Sequence, residues 1–435
     1  MIRIIENYLQ SPFVTIFMYL RDDDPYLEEN ALIIEEILRQ RLIGLKNKAG
    51  VYVTPTFPKL VYVLSENNCL QGGKYDYITH LAAKCTAKRL YPDYVSEKVM
   101  KKHYNGDVFG PMGCRSFLSI WKDPETGNSV YESRFNQGVV TLNLPQIALV
   151  ADKDEDEFWR LLEERLSICF KALMCRHKAL EGTISDVSPI HWQDGGIARL
   201  EPGEKIDKLL HEGYSTISLG YIGLYECTKH MTGYSHTDEN GREFSLKLMN
   251  RLRSETDAWK AETGIGFGLY GTPAESTCYT LARKDKDQFG DIADITDKGY
   301  YTNSYHIAVT EPIDAFTKLS LESIYQKISS GGAISYIEMP NMNHNIEAIE
   351  EVIKFMYENM QYAEFNTKSD YCSCCGYDGE IVLNDDDVWE CPQCKNTNTA
   401  KMSVVRRTCG YLGTAENGWN IGKTREIDER VVHLY

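Results

Sequence analysis

The chain has 435 residues, enough for two or three domains at roughly 150 residues each, or for one large barrel with an appendage. Lys and Arg number 47 against 63 Asp and Glu, a net charge of −16, which argues against a general nucleic-acid binder but leaves room for nucleotides held by backbone N–H groups. Apolar residues at 43% and charged residues at 25% are globular values, and no apolar run approaches the roughly 18 residues of a membrane span.

The opening MIRIIENYLQSPFVTIFMYLRDDD has one arginine ahead of its apolar stretch and no small-residue cleavage site, so a soluble cytoplasmic protein is expected. Residues 25–50 predict a helix, with Leu32, Ile34, Ile37, Leu38 and Leu42 at helical spacing and Gly50 at the end. Val51–Leu64 is β-branched and aromatic and broken by two prolines, which predicts strand, turn, strand. Asp154–Leu180 predicts a long amphipathic helix with Phe158, Leu161, Leu162, Leu166, Ile168 and Leu173 on its apolar side. Glu243–Glu262 and Asn345–Gln361 predict further helices. Val139–Leu144, Thr216–Tyr221, Tyr305–Val309 and Ala333–Glu338 predict strands between them. Strands alternating with long helices point to an α/β fold of the barrel or doubly wound kind. The composition shifts near residue 366, where the helical pattern stops.

Of thirteen cysteines, six lie at or after position 372, a cluster that in a cytosolic chain suggests metal or redox chemistry. Cys372 with Cys375, and Cys391 with Cys394, form CxxC…CxxC with fifteen residues between the pairs, the spacing of a zinc ribbon. Gly376 and Pro392 suit the tight turns, and the intervening EIVLNDDDVWE predicts a hairpin with an acidic tip. Four thiolates leave no open position, so the zinc is expected to be structural, with Cys374 a spare thiol. Asp385, Asp386 and Asp387 in the loop speak against DNA binding.

Arg406-Arg407-Thr408-Cys409-Gly410-Tyr411 follows the ribbon, and the tail then runs NGWNIGKTREIDERVVHLY. RTCGY alone reads more readily as a turn, with Gly410 a turn glycine like Gly413. With the ribbon upstream and that tail downstream, the segment resembles the radical loop of glycyl radical enzymes, and in particular of the anaerobic (class III) ribonucleoside-triphosphate reductases. The resemblance implies a stored backbone radical on Gly410. A Cα radical is stabilised by the flanking amide and carbonyl only if the centre flattens, and a Cβ would crowd it.

Pro111-Met112-Gly113-Cys114-Arg115-Ser116 resembles the family's finger loop, which implies that Cys114 becomes a thiyl radical and takes hydrogen from C3′ of a ribose. Arg134–Pro145 (RFNQGVVTLNLP) resembles the strand whose asparagine lines the active site, by position Asn136, with Asn143 a structural strand-end residue. Met112 together with Asn136 implies formate as reductant. Gly271–Thr277 (GTPAEST) can open a helix whose N–H groups hold phosphates. Thr272 and Ser276 would add hydroxyl donors and Glu275 a partner for a ribose hydroxyl. A capped helix start without a ligand is the plainer reading of the same residues.

The resemblance covers the family's C-terminal two-thirds. It implies a ten-stranded α/β barrel without its first strands over residues 1–365 (finger loop 111–116), a zinc ribbon over 366–400 and a glycyl radical domain over 401–435. Family chains begin upstream, and an early strand carries a second active-site cysteine; none of Cys69, Cys85 or Cys278 sits in a matching context. A split gene, a truncated start and an inactive remnant each fit, and a complementing N-terminal polypeptide is expected because an open barrel exposes a sheet edge. Further implied partners are ribonucleoside triphosphates, an activating enzyme using an iron–sulfur cluster and S-adenosylmethionine, and a second copy of the chain. Two other readings are a glycyl radical enzyme acting on a non-nucleotide and a non-catalytic zinc-ribbon docking protein.

Overall fold

The computed structural model describes residues 14–386, 388–408, 410–414 and 419–434. In chain order, the strands that build the interior are β1 (Thr15–Met18), β2 (Lys59–Leu64), β3 (Asp93–Ser96), β4 (Asn136–Asn143), β5 (Thr216–Ile222), β6 (Gly266–Gly271), β7 (Ser335–Met339) and β8 (Tyr362–Thr367). They form a five-stranded sheet of order β1-β2-β3-β8-β7 and a three-stranded sheet of order β4-β5-β6. All pairings are parallel except β3 with β8. Every residue of β2, β5, β6 and β8 is buried, as parallel strands covered on both faces require.

The helices cover these sheets. The longest before residue 200 is α1 (Glu155–Lys178), whose N-cap Asp154 accepts from Glu157 N, with acidic residues in the first turn and Arg176, His177 and Lys178 in the last. Phe158, Leu161, Leu162, Leu166 and Leu173 are buried along one stripe, each contributing about 1.5–3 kcal/mol. Ile168, expected on that stripe, is exposed: it lies two residues, roughly 200° around the helix, from Leu166. The expected helices at 25–50, 243–262 and 345–361 occur as Leu27–Ile43, Glu239–Thr263 and Ile346–Asn359.

The α/β class is as expected. The paired strands amount to five plus three, and a closed ten-stranded barrel is not found among the described residues. The two sheets meet at one seam. Gly331 N donates to Leu269 O (2.7 Å), Gly271 N donates to Gly332 O (2.9 Å), and Tyr270 and Gly332 form a parallel bridge. Tyr305–Val309, expected as a strand, is irregular. Two of its groups bond outside any ladder: Ile307 N donates to the Glu322 carboxylate, and the Tyr305 hydroxyl donates to Ile334 O. Among the described residues no helix is long and apolar enough to cross a membrane.

The finger loop docks on this seam. Met112 and Ser116 exchange backbone hydrogen bonds (2.7 and 3.1 Å) around the turn that carries Cys114, and Phe117 N donates to Gly331 O. Gly332 has φ 116°, and a Cβ there would lie 2.0 Å from the Arg115 carbonyl oxygen, so only glycine lets the loop pass this close.

Candidate active site

Gly410 lies in the turn between two short antiparallel strands, β9 (Val405–Arg407) and β10 (Leu412–Thr414). It is buried with φ 124°, and a Cβ on it would sit 3.1 Å from the Cys114 carbonyl oxygen and 3.2 Å from Cys114 Cβ. Two residues 296 positions apart thus lie too close to admit a side chain on Gly410.

A buried ionic cluster holds the two loops together. Lys59, at the start of β2, donates from Nζ to Gly410 O (2.5 Å) and to Cys114 O (2.8 Å). The same ammonium is 2.9 Å from Asp93 and 3.3 Å from Glu364, which sit on the neighbouring strands β3 and β8. Arg407, the last residue of β9, reaches the other oxygens of Asp93 (3.0 Å) and Glu364 (2.9 Å). All four side chains are at most 1% exposed, so their charges are viable only where they offset one another. Burial acts to raise the Asp93 carboxyl, but Lys59 and Arg407 outweigh it and hold it below its usual range. Burial pushes Glu364 up, Arg407 opposing and the Asp93 charge adding. Tyr362 donates to Asp93 (2.8 Å), and Arg407 also donates to Phe365 O and Leu90 O.

The other candidate residues are spread along the three-stranded sheet. Asn136 opens β4 at a bulge; its Nδ2 donates to Ser218 Oγ (2.8 Å) and its Oδ1 accepts from Gly138 N (2.8 Å). Met112 is partly buried against the aromatic cluster of Phe109 and Phe117. Thr272 follows β6, with its hydroxyl 3.2 Å from that of Thr141. Asn136 and Thr272 therefore lie at opposite ends of one sheet, roughly 20 Å apart by strand rise. Helix Glu275–Phe289 starts there with Ala274 at its N-cap and no side-chain cap, and Ser276 is exposed in its first turn. The Glu275 side chain and Cys409 lie outside the described residues. Asn143 has the structural role expected of it, donating to Asp285 (2.8 Å) at the end of β4.

In the ribbon, the Sγ atoms of Cys372, Cys375, Cys391 and Cys394 all lie within 4.8 Å of one another. Cys372–Cys394 and Cys375–Cys391 are each 3.7 Å apart. Tetrahedral zinc with bonds of about 2.3 Å sets sulfurs about 3.8 Å apart, so the four thiolates fit a zinc ion. Asn396 Nδ2 faces Cys372 Sγ at 3.8 Å, while Cys374 is exposed outside the cluster. The expected hairpin pairs Val382–Leu383 with Trp389–Glu390; Asp387 lies outside the described residues. The ribbon also braces the hairpin that carries Gly410: strand Asp370–Cys372 pairs with Met402–Ser403, and Asp370 takes a two-pronged bond from Arg406 (2.6 and 2.7 Å) on β9.

A family model described as anaerobic ribonucleoside-triphosphate reductase matches residues 5–433. The chain belongs to the anaerobic ribonucleoside-triphosphate reductase family. It is 40% identical over 432 residues to the anaerobic ribonucleoside-triphosphate reductase of Escherichia coli (strain K12), covering 98% of this chain and 59% of that protein. The chain thus spans about three-fifths of that relative's length. The fold is also that of a solved anaerobic ribonucleotide reductase (TM-score 0.69, 21% identity, 98% of this chain and 65% of that one). A glycyl radical enzyme from Archaeoglobus fulgidus shares it as well (TM-score 0.56, 10% identity, 95% and 56%).

For this reductase-family chain, sequence motifs located Gly410, Cys114 and the four thiolates. They missed Lys59, Asp93 and Glu364, which come from three strands and share no spacing. Arg407 was within the quoted motif, but its role depends on the other three.

Proposed function

We propose that this chain carries the radical chemistry of anaerobic ribonucleoside-triphosphate reduction. The close approach of Gly410 to Cys114 carries the reading, because hydrogen-atom transfer needs the two residues side by side.

In this reading an activating enzyme with an iron–sulfur cluster and S-adenosylmethionine removes one hydrogen atom from Gly410 Cα. Gly410 then takes the hydrogen atom of the Cys114 thiol, and the Cys114 thiyl takes the 3′-hydrogen of the ribose. The 2′-hydroxyl leaves as water. Formate supplies two electrons and departs as carbon dioxide, and Cys114 returns its hydrogen to C3′. One ribonucleoside triphosphate and one formic acid become one deoxyribonucleoside triphosphate, one carbon dioxide and one water.

Asn136 and Met112 would face the formate, and Thr272, Glu275 and Ser276 would receive the triphosphate end at the helix start. The four-cysteine cluster would hold zinc in a structural role, fixing the strand that anchors Arg406. The test is anaerobic turnover of the chain with its activating enzyme, ribonucleoside triphosphate and 14C-formate. One labelled carbon dioxide per deoxynucleotide is expected; product without labelled gas would overturn formate as the reductant, and no product would overturn the activity.

A further inference from the structure

A third cluster of ligating side chains lies where α1 (Glu155–Lys178) ends, apart from the radical pair and the ribbon. His177 in its last turn is 2% exposed, Glu181 follows one turn later, and His211 comes from the segment leading into β5. One nitrogen or carboxylate oxygen from each lies within 4.8 Å of the others. The two imidazole rings stand at 85° with centroids 5.1 Å apart. His177 Nε2 is 3.6 Å from Glu181 Oε1, beyond hydrogen-bond length.

The hydrogen bonds behind His177 fix which of its nitrogens carries the proton. Gln137 Nε2 lies 3.1 Å from Leu210 O, which can only accept, so the amide nitrogen must face it. Ser215 Oγ donates to Leu209 O (2.7 Å) and so accepts from Gln137 Nε2 (2.8 Å), which sets the same orientation a second time. Gln137 Oε1 therefore faces His177 Nδ1 at 2.8 Å, and Nδ1 is the donor. In the neutral imidazole the lone pair is then on Nε2, on the side of the Glu181 carboxylate. Two lone-pair donors face each other across a gap too long for a shared proton and suited to a cation. An imidazole whose rear N–H is held by an amide carbonyl, with its free lone pair beside a second imidazole and a carboxylate, has the outer-shell support usual at metal sites.

We propose that His177, Glu181 and His211 bind a divalent first-row transition-metal ion, with water in the open position. Two nitrogens and one carboxylate oxygen are a borderline donor set that suits zinc or cobalt and disfavours magnesium and calcium. Bonds of about 2.0–2.1 Å require ligand atoms about 3.3 Å apart. Glu181 and His211 are exposed and on the solvent side, where side-chain rotation closes the remaining distance. The ion would tie the end of α1 and the 206–214 segment to Gln137, next to the bulge that presents Asn136.

The test uses the full chain with its four-cysteine site already loaded with zinc. Cobalt(II) is then titrated anaerobically, and bound metals are counted after desalting. One further equivalent is expected, with a d–d spectrum that lacks thiolate charge transfer. It should be lost in His211→Ala and Glu181→Gln, two exposed positions whose replacement leaves the fold intact, while the zinc count stays at one. No second equivalent in the unmodified chain would overturn the proposal, as would a second equivalent that persists in both variants. The readout is metal stoichiometry, so it is independent of whether the chain reduces nucleotides.

Discussion

Lys59 Nζ donates a 2.5 Å hydrogen bond to the carbonyl oxygen of Gly410. The same ammonium holds the Cys114 carbonyl, so one buried cation ties together the two loops that carry Gly410 and Cys114. Its charge is offset by Asp93 and Glu364, which Arg407 in turn joins to the hairpin carrying Gly410. The cluster ties three interior strands to the glycine hairpin.

Removing one partner of such a set leaves an uncompensated buried charge. Lys59→Met is expected to cost about 3–5 kcal/mol in urea unfolding. The double variant Lys59→Met/Glu364→Gln, which restores neutrality, should recover part of that loss. A single variant as stable as the parent would show that Lys59 is not a charged clamp.

Much of the fold was legible because it rests on local pattern. The apolar stripe marks α1, and CxxC spacing marks the ribbon. What was not legible depends on pairing. Tyr305–Val309 has strand composition, yet the Tyr305 hydroxyl and Ile307 N bond to Ile334 and Glu322, and no partner strand adjoins it among the described residues. β3, at four residues, is too short to show a period, though it supplies Asp93. No spacing marks Gly331 and Gly332; the backbone of Gly268 and Leu269 crowds the first and the Arg115 carbonyl the second.

Gly410→Ala tests the close approach separately from the radical. A positive φ together with a Cβ 3.1 Å from the Cys114 carbonyl should cost about 1–3 kcal/mol in equilibrium unfolding. Gly376→Ala, also at positive φ but with open space around its Cβ, should cost less. Equal losses at the two positions would mean that Gly410 does not pack against Cys114.

Acid sensitivity follows from buried neutral histidines. Burial lowers His236 and His306 to about 4 and His433 to about 3. As pH falls below about 6.5, the unfolded chain takes up these protons and the folded chain does not. Stability is therefore full above that pH and is lost by about 1.4 kcal/mol per pH unit for each histidine as pH falls towards 4. Chemical denaturation between pH 7 and 4.5 measures the slope, and His236→Gln should flatten it by that residue's share. A flat profile across this range would contradict neutral burial.

Metal loss should reach the radical loop through Asp370 and Arg406. Cys391→Ser is expected to lose the ribbon zinc and to speed amide hydrogen exchange over residues 402–414 as well as within the ribbon. Exchange confined to 372–394 would show that the ribbon does not brace the glycine hairpin.

The most direct test of the Gly410–Cys114 pairing is electron paramagnetic resonance on the zinc-loaded chain, after anaerobic incubation with its activating enzyme and S-adenosylmethionine. A glycyl doublet is expected in the parent and in Cys114→Ser and should be absent in Gly410→Ala, with deoxynucleotide formed by the parent alone. No doublet in the folded parent, or product formed by Cys114→Ser, would contradict the account.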